Sequence, residues 1–270
     1  PESANRLLVA HCPERVLPGK IMEEMAANDR VIGGLNPLST DRAKQLYSFF
    51  CNGEMLLTNA TTAEMAKLTE NSFRDVNIAF ANELSIISDK LGIDVWELIE
   101  LANHHPRVNI LNPGPGVGGH CIAVDPWFIV SSAQEEAKLI RTAREVNDGK
   151  PAYVIAKITE AVEAEGADSI AALGIAFKPD IDDLRESPAL SIVQQMAEKW
   201  PEKNILVAEP NVNELPESLT AYQNVQLVDA SHAISSSPVV AVLVDHTPFK
   251  SLEKSVLEGK NVVDTRGMWS

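Results

Sequence analysis

The amino-acid sequence predicts an α/β protein in three parts: a partial Rossmann-like amino-terminal remnant, a central helical region with one long helix, and a carboxyl-terminal doubly wound domain with a parallel sheet. Two observations support this prediction. A helical pattern runs unbroken through the middle of the chain, and after Gly166 apolar runs alternate with helical stretches. The three parts are expected to span residues 1–59, 60–165 and 166–270.

The amino-terminal part contains short apolar runs that favour strands, at Leu7–Cys12, Arg30–Gly33 and Met55–Leu57. An amphipathic helix is predicted over Asp41–Phe50, with Thr40 as its N-cap. No GxGxxG turn follows a strand in the sequence, although such a turn opens a dinucleotide-binding unit. This part therefore has the pattern of the last portion of an α/β domain.

The central part opens with a helix predicted to run from the N-cap Thr62 to Leu91, where Gly92 ends it. Such a helix is about 45 Å long, enough to connect two domains. The loop His104–Gly119 is rich in proline, glycine and asparagine, and loops of this length are often functional. Shorter helices are predicted at Asp94–Ala102, Ala133–Glu145 and Pro151–Glu163.

The carboxyl-terminal part alternates strands with helices, as a doubly wound sheet requires. Its first helix is predicted to begin with Ser187 as N-cap and Pro188 at the first position. Strands are predicted at Ser169–Phe177, Asn204–Ala208, Val239–Val244 and Asn261–Val263. Helices are predicted at Ser187–Trp200, Ala230–Ser235 and Phe249–Glu258.

The composition limits the classes of function. With 45% apolar and 23% charged residues over 270 positions, the chain has the make-up of a soluble globular protein. A formal net charge of −15 argues against a nucleic-acid partner, because the phosphates would be repelled. No apolar run approaches the roughly 20 residues of a membrane-spanning helix, so we expect no membrane partner.

The three cysteines, Cys12, Cys51 and Cys121, are too few and too scattered for a disulfide framework. A reducing compartment, the cytoplasm, is therefore expected. None of them belongs to a CxxC pair, so no structural metal site is predicted.

The loop Gly114–Trp127 (GPGVGGHCIAVDPW) contains the most reactive candidate, Cys121, directly after its glycine-rich portion. Glycines let main-chain amides approach a ligand closely, and such donors favour a thiolate. The alternative is a buried cysteine that packs as a small apolar side chain. Asp125 is expected either to take a proton and orient water or to cap a helix before Pro126. A cysteine hydrolase using His120 is disfavoured, because adjacent side chains point in different directions.

Lys67 and Asn71 are four residues apart on the long helix and therefore share one face. An ammonium and an amide on that face would together hold a developing oxyanion. The alternative is a solvated helix face. Glu14 follows a predicted strand and is expected to reach a cleft, unless its turn is an inert surface feature.

Lys178 and Arg185 follow a predicted strand and precede a helix N-terminus. Ligands of open α/β sheets bind beyond the carboxyl ends of the strands, and helix N-termini favour phosphate. Both side chains are candidates for contacting an anionic ligand, with salt bridges to neighbouring aspartates as the alternative. Glu209 closes the next strand, where it would meet a ribose hydroxyl or, before Pro210, simply form a turn.

Three blocks occur together: Glu64–Asn71 (EMAKLTEN) with Asn82–Glu83, Gly114–Pro126 (GPGVGGHCIAVDP), and Gly174–Pro188 (GIAFKPDIDDLRESP). In this order and separation they resemble the UDP-glucose/GDP-mannose dehydrogenase family, and the resemblance covers nearly the whole chain. It implies an enzyme that oxidises the C6 hydroxyl of a nucleotide sugar to a carboxylate with NAD as cofactor. It also implies a carboxyl-terminal UDP-binding domain, and we predict a homodimer built on the long helix.

The resemblance assigns catalytic roles to four side chains. Cys121 would attack the C6 aldehyde and pass through a thiohemiacetal to a thioester, which water hydrolyses. Lys67 and Asn71 would stabilise the oxyanion and hold an ordered water, and Asp125 would assist proton transfer. The residues that would bind substrate are Glu14, Arg15, Arg107, Gly118, Lys178 and Arg266, and Arg185 would contact the cofactor.

Departures from the family pattern narrow the substrate. Pro18 stands where UDP-glucose members usually have a glutamate, and His120 rarely precedes the cysteine in those members. The forms ERVLPG and GGHCI are similar to those of members acting on UDP-N-acetylhexosamines. Ala123, Trp127 and the stretch 104–109 look most like members acting on UDP-N-acetyl-D-mannosamine, which is preferred here over UDP-N-acetylglucosamine.

The family's NAD domain begins with a GxGxxG unit, and only its last portion is expected within residues 1–59. The parent protein is therefore predicted to be the dehydrogenase, whereas this chain by itself is expected to be inactive. The alternative from another class is a non-catalytic module that dimerises and binds UDP-sugar without turning it over.

Overall fold

The computed structural model describes residues 7–16 and 19–269, and the chain divides into two compact units, Pro1–Asn71 and Ser72–Ser270. The departure at Pro18 and the first six residues of the predicted remnant lie outside the described residues. Neither the predicted boundary at residue 59 nor the one at residue 165 coincides with this division, so those boundaries stay a prediction.

The first unit contains a three-stranded sheet in the order β1-β2-β3. β1 (Ala10–His11) is antiparallel to β2 (Arg30–Gly34), and β2 is parallel to β3 (Met55–Asn59). The helix α1 (Ile21–Ala27) precedes β2, and α2 (Pro37–Tyr47) connects β2 to β3. The unit therefore contains one parallel strand–helix–strand crossover, which agrees with the predicted Rossmann-like pattern.

Three details of this unit differ from the sequence-based expectation. Of the predicted strand Leu7–Cys12 only β1 forms, since only its two residues pair with β2. The helix α1 was not predicted, because none of its residues is buried and its pattern is weak. The N-cap of α2 is Asn36, whose side chain accepts the main-chain N–H of Ser39, whereas Thr40 lies inside the helix and accepts the N–H of Gly34 at 2.9 Å.

The long helix α3 (Ala60–Leu91) extends the predicted helix by two residues at its start. Asn59 caps it, since its side-chain oxygen accepts the N–H of Thr62 at 2.9 Å, so Thr62 is not the N-cap. Gly92 adopts φ +68°, a left-handed conformation that ends the helix as predicted.

Three more helices follow in the second unit: α4 (Val95–Asn103), α5 (Asp125–Ser132) and α6 (Lys138–Glu165). The predicted helices Ala133–Glu145 and Pro151–Glu163 are wrong in their bounds, because α6 is one helix that continues through Pro151. Burial explains this continuity: α6 is anchored on one side of the proline by Arg144 and Asn147 and on the other by Val154 and Ile158.

The carboxyl-terminal sheet has five parallel strands in the order β6-β5-β4-β7-β8, which confirms the doubly wound prediction. The order reverses between β4 and β7, and ligands bind beyond the strand ends at such a switch point. The strands are β4 (Ser169–Leu173), β5 (Asn204–Ala208), β6 (Val225–Leu227), β7 (Val239–Val242) and β8 (Asn261–Asp264). The helices are α7 (Pro188–Lys199), α8 (Glu217–Thr220), α9 (Ala230–Ser235) and α10 (Thr247–Lys250).

Buried apolar residues cover both faces of this sheet. Ser187 caps α7 with Pro188 at the first position, as predicted. β4 stops short of the predicted Phe177 because Gly174 turns the chain with φ +88°. The predicted helix Phe249–Glu258 is broken into α10 and a short 3-10 helix, Lys254–Leu257, and β6 was missed because it has only three residues.

Within the described ranges, none of the helices combines the length and the apolar character that crossing a membrane requires.

Candidate functional site

A cleft of about 310 Å³ lies in the second unit, where the glycine-rich loop meets the carboxyl ends of β4 and β7. This is the position expected of a ligand site at a switch point. Three predicted substrate residues, Gly118, Lys178 and Arg266, all line it. The wall also contains apolar residues and one further cation: Ile78, Leu111, Ile122, Phe177, Pro188, Leu243, Val244 and Arg74.

The glycine-rich loop is packed too closely for side chains. A Cβ added at Gly118 would lie 2.4 Å from the carbonyl oxygen of Glu186 and 2.7 Å from Cδ of Pro188. Gly116 and Gly119 adopt φ +149° and +84°, which L-residues with side chains rarely do. Glycine at these positions therefore lets the loop lie against the start of α7.

A buried polar network holds the beginning of this loop. The side-chain oxygen of Asn82 accepts the N–H of Gly114 at 2.9 Å, and its amide donates to Asn147 at 2.9 Å. Asn147 donates to the Asp75 carboxylate at 2.8 Å, and Arg144 donates to the same carboxylate oxygen at 2.6 Å. Because Asp75 and Asn82 lie on α3 and Arg144 and Asn147 lie on α6, the network fixes the start of the loop relative to these two helices.

Cations concentrate in the cleft although the chain as a whole is acidic. Nε of Arg266 donates to Asp245 at 2.8 Å, and Lys250 pairs with the other oxygen of that carboxylate at 2.6 Å. This pairing orients the guanidinium beside the loop, where its Nη1 lies 2.6 Å from the Cβ position of Gly114. Together with Lys178 and Arg74, Arg266 makes the cleft suited to an anionic ligand.

No role for Arg74 is predicted from the sequence. It lies on α3 between the two segments of the first family-like block, Glu64–Asn71 and Asn82–Glu83. A cation in that interval of the sequence is the signal that could have pointed to it. The sequence does not show, however, which face of α3 lies next to the end of β4, about 100 residues later. The fold supplies that information.

Cys121 is exposed, which excludes the alternative of a buried packing cysteine. Its carbonyl oxygen accepts the N–H groups of Val124 at 3.1 Å and Asp125 at 2.8 Å, so the thiol sits in a turn that leads into α5. Ile122, the next residue, lines the cleft. Asp125 is the first residue of α5 and not its N-cap, which is Val124, so the capping alternative for its carboxylate is wrong.

The first unit contains four of the predicted residues: Glu14, Arg15, Lys67 and Asn71. Lys67 and Asn71 lie one turn apart on α3, and Asn71 is buried. Nε of Arg15 lies 3.0 Å from the carboxylate of Glu70 on the same helix. The Glu14 carboxylate accepts a hydrogen bond from the buried Arg30 at 3.1 Å, so it has a structural partner in addition to the substrate role predicted for it.

Three predicted residues lie outside the cleft. Arg107 is exposed in the loop after α4. Arg185 forms a two-pronged ion pair with Asp183 at 2.8 and 2.6 Å, and hydrogen bonds from Arg185 lower the pKa of Asp183 to about 2. Glu209 is wholly buried, so it does not reach a ribose as one sequence-based alternative supposed.

A larger cavity of about 550 Å³ in the same unit contains none of the predicted residues. Burial lowers the pKa of its Lys150 to about 8. The polar groups of this cavity are largely paired with one another: Asp89 accepts from Tyr153 at 2.6 Å and pairs with Lys157 at 3.3 Å. We therefore place the ligand site at the cationic cleft.

Comparison with known proteins gives matches along most of the chain. Residues 2–51, 61–149 and 171–270 match the NAD binding, central and UDP binding domains of the UDP-glucose/GDP-mannose dehydrogenase family. An NDP-N-acetyl-D-galactosaminuronic acid dehydrogenase from Ralstonia nicotianae is 56% identical over 97% of this chain and 61% of its own. A UDP-N-acetyl-D-mannosamine dehydrogenase from Salmonella typhi is 55% identical over 97% of this chain and 63% of its own.

Among solved structures, the UDP-D-ManNAc dehydrogenase from Pyrococcus horikoshii superposes with a TM-score of 0.84 at 39% identity, covering 97% of this chain and 62% of that one. The chain thus spans a little over three fifths of the length of the relatives it matches. The matches confirm the predicted fold class and NAD as the cofactor of the amino-terminal domain.

Proposed function

The chain belongs to the UDP-glucose/GDP-mannose dehydrogenase family, and we propose that its protein oxidises C6 of a UDP-N-acetylhexosamine to the carboxylate. One observation supports the proposal most: the cationic cleft unites Gly118, Lys178 and Arg266 next to the turn that carries the exposed Cys121. A nucleotide sugar contains a dianionic pyrophosphate, which would bind to Lys178 and Arg266. It also contains a sugar, which would extend from the pyrophosphate towards the thiol of Cys121.

The UDP moiety belongs in the cleft. Lys178 and Arg266 approach from the ends of β4 and β8, and Arg74 approaches from α3, so that a pyrophosphate would be contacted from several sides. The apolar wall would pack against the uracil ring.

Cys121 supplies the nucleophile. After the C6 hydroxyl has become an aldehyde, the thiolate forms a C–S bond to C6, and loss of a second hydride leaves a thioester. Water then adds to the thioester carbon, the C–S bond breaks, and the thiol and a carboxylate result. Asp125, four residues on, is assigned to the proton transfers, and Lys67 and Asn71 keep the oxyanion and water roles that the resemblance implies.

NAD accepts the hydrides when it is bound. The described residues 7–16 and 19–59 do not include a glycine-rich turn that would hold its pyrophosphate. Gly33 is required for packing, since a Cβ there would lie 2.2 Å from the Asn59 carbonyl oxygen, and the first turn of α2 is capped by Asn36. No step is therefore assigned to a contact between these residues and the cofactor.

The sugar is proposed to be N-acetyl-D-mannosamine. Support comes from the likeness of Ala123, Trp127 and the stretch 104–109 to members acting on this sugar, and from the two relatives that carry it in their names. The Ralstonia relative carries a galacto sugar in its name at similar identity, so turnover of the manno, galacto and gluco epimers should be compared directly.

The cytoplasm is the proposed compartment of the protein. All three cysteines are free thiols, as is usual for proteins in a reducing compartment.

UDP binding tests the cleft. We expect Arg266→Met to raise the Kd for UDP about tenfold or more, since a charge-assisted contact to the pyrophosphate is lost. Isothermal titration of the chain with UDP measures this change. Arg141→Met, at a position on α6 away from the cleft, makes the same change in net charge and should leave the Kd unaltered. Equal affinities for all three proteins would contradict the assignment of the cleft.

A second copy of the chain is the proposed partner of α3. Phe73, Phe80 and Ile87 recur every seven residues and are 69%, 53% and 44% exposed, so they form an apolar stripe along one side of the helix. An exposed stripe of this kind is typical of a helix–helix interface. We expect a homodimer at micromolar concentration, and a monomer after Phe80→Asp.

Sedimentation equilibrium distinguishes the two states. Phe49→Asp removes an exposed aromatic residue after α2 and should leave the dimer intact. A monomeric parent chain, or a Phe80→Asp variant that is still dimeric, would rule out this interface.

A further inference from the structure

Glu209 and His246 form a buried pair beside the cleft without lining it. Their side chains are both 0% exposed, and Nε2 of His246 lies 3.0 Å from Oε2 of Glu209. Glu209 follows β5 and His246 follows β7, so they lie on either side of the segment that leaves β4. This central position makes the pair a link between the three strand ends at the switch point.

The hydrogen bonds define the protonation of the pair. The main-chain N–H of Asp180 donates to Nδ1 of His246 at 3.0 Å, so Nδ1 is an acceptor and the ring proton resides on Nε2. Nε2 therefore donates to Glu209. The same carboxylate oxygen accepts the N–H groups of Ile175 at 2.9 Å and Ala176 at 3.1 Å.

These bonds keep Glu209 ionised despite its burial. Burial raises the pKa of Glu209, but the hydrogen bonds from His246 and Ile175 outweigh it and hold the pKa below its ordinary value. A buried carboxylate with this many donors is a rigid anchor rather than a mobile acid.

The anchored segment is strained. Asp180 and Glu186 adopt φ +62° and +52°, and they are the non-glycine residues with positive φ in the described chain. Such a conformation is unfavourable for a residue with a side chain and persists only where neighbouring contacts impose it. At Asp180 the main-chain N–H donates to His246. The Asp180 carboxylate accepts hydrogen bonds from the main-chain N–H of Thr247 at 2.8 Å and from its hydroxyl at 2.7 Å.

The chain is held at Ile175–Ala176 by Glu209 and at Asp180 by His246. Between these two points lie three residues that line the cleft: Phe177, Lys178 and Pro179. We infer that Glu209 and His246 are positioning residues that hold this segment, and with it Lys178, in the conformation that binds the nucleotide diphosphate. The inference rests on the proposed function of the cleft. A segment held rigid before binding loses less conformational entropy when the ligand arrives, so the pair should contribute to affinity without touching UDP.

Two variants separate the two halves of the pair. In His246→Asn the side-chain oxygen can replace Nδ1 as the acceptor for Asp180, while the donor to Glu209 is lost. In His246→Gln the amide can still donate to Glu209, while the acceptor for Asp180 is lost. We expect the Kd for UDP to rise about tenfold in His246→Gln and less in His246→Asn. The reason is that only His246→Gln removes the acceptor that holds the main-chain N–H of the strained Asp180.

A double-mutant cycle with Lys178→Met distinguishes positioning from general stabilisation. If the pair acts through the segment that carries Lys178, the combined loss of affinity is smaller than the sum of the single losses. Thermal unfolding is followed in parallel, and titrations are made where each variant is fully folded. A folded His246→Gln variant with an unchanged Kd, or strictly additive losses, would overturn the inference.

Thr247→Val serves if the histidine variants do not fold. It removes the hydroxyl that donates to Asp180 from an exposed position and should raise the Kd for UDP a few-fold, whereas an unchanged Kd would overturn the inference. A parent chain that does not bind UDP would instead overturn the proposed function of the cleft, and so the two failures are distinguishable.

Discussion

Cys121→Ser is expected to lower the rate of NADH formation from UDP-N-acetyl-D-mannosamine on the order of 10⁴-fold. A serine hydroxyl is not ionised near neutral pH, and an ester is less readily hydrolysed after hydride loss than a thioester. The affinity for UDP should stay within about twofold, because the thiol is not among the residues that line the cleft. The rate is followed by NADH absorbance with the longest protein that the gene encodes.

Cys12→Ser is the matched control. Cys12 is half-buried in the first unit, where burial raises the pKa of its thiol, so it is not a candidate nucleophile. Its substitution should leave turnover within a few-fold of the parent. Turnover that survives in Cys121→Ser would remove Cys121 from the mechanism, whereas loss in both variants would indicate general damage.

Arg144→Met is expected to lower the free energy of unfolding by about 3–5 kcal/mol. Arg144 is 1% exposed and pairs with Asp75, which is 0% exposed, so the substitution leaves a buried carboxylate without its cation. Arg144 also pairs with Asp148, and the same carboxylate of Asp75 holds Asn147. Urea unfolding of the parent and the variant measures the difference.

The deficit should depend on pH in a defined direction. Burial raises the pKa of Asp75 in the folded chain above its ordinary value, and removing Arg144 raises it further. A carboxyl whose pKa is higher in the folded than in the unfolded chain destabilises the protein at pH values above the unfolded pKa. This destabilisation decreases as the pH falls and the carboxyl becomes protonated in the folded chain. The deficit of Arg144→Met should therefore be smaller at pH 5 than at pH 8.

Arg144→Met combined with Asp75→Asn provides the control. The double variant removes both buried charges, the guanidinium of Arg144 and the carboxylate of Asp75. It should therefore recover part of the lost stability and lose the pH dependence. A deficit of Arg144→Met below about 1 kcal/mol would contradict the role given to this network.

Local rules account for the parts of the fold that the sequence predicted. Ser187 followed by Pro188 defines the start of α7 without reference to the rest of the chain. Continuous apolar runs identify β5 and β7, which are buried on both faces. Tertiary packing decided the rest: α6 continues through Pro151 because buried residues anchor the helix on both sides of the proline.

The same distinction applies to the site. Gly118, Lys178 and Arg266 were assigned through motif resemblance, and the fold brings them to one cleft. The pairing of Glu209 with His246, 37 residues later, depends on two strand ends that meet only in the folded sheet. No spacing rule in the sequence connects them.

The most direct test of the proposed function is the number of NADH molecules formed for each UDP-N-acetyl-D-mannosamine consumed by the longest protein that the gene encodes. A four-electron oxidation through Cys121 predicts two NADH for each sugar and a C6 carboxylate as the product. One NADH with a released aldehyde, or saturable UDP binding without any NADH, would contradict it.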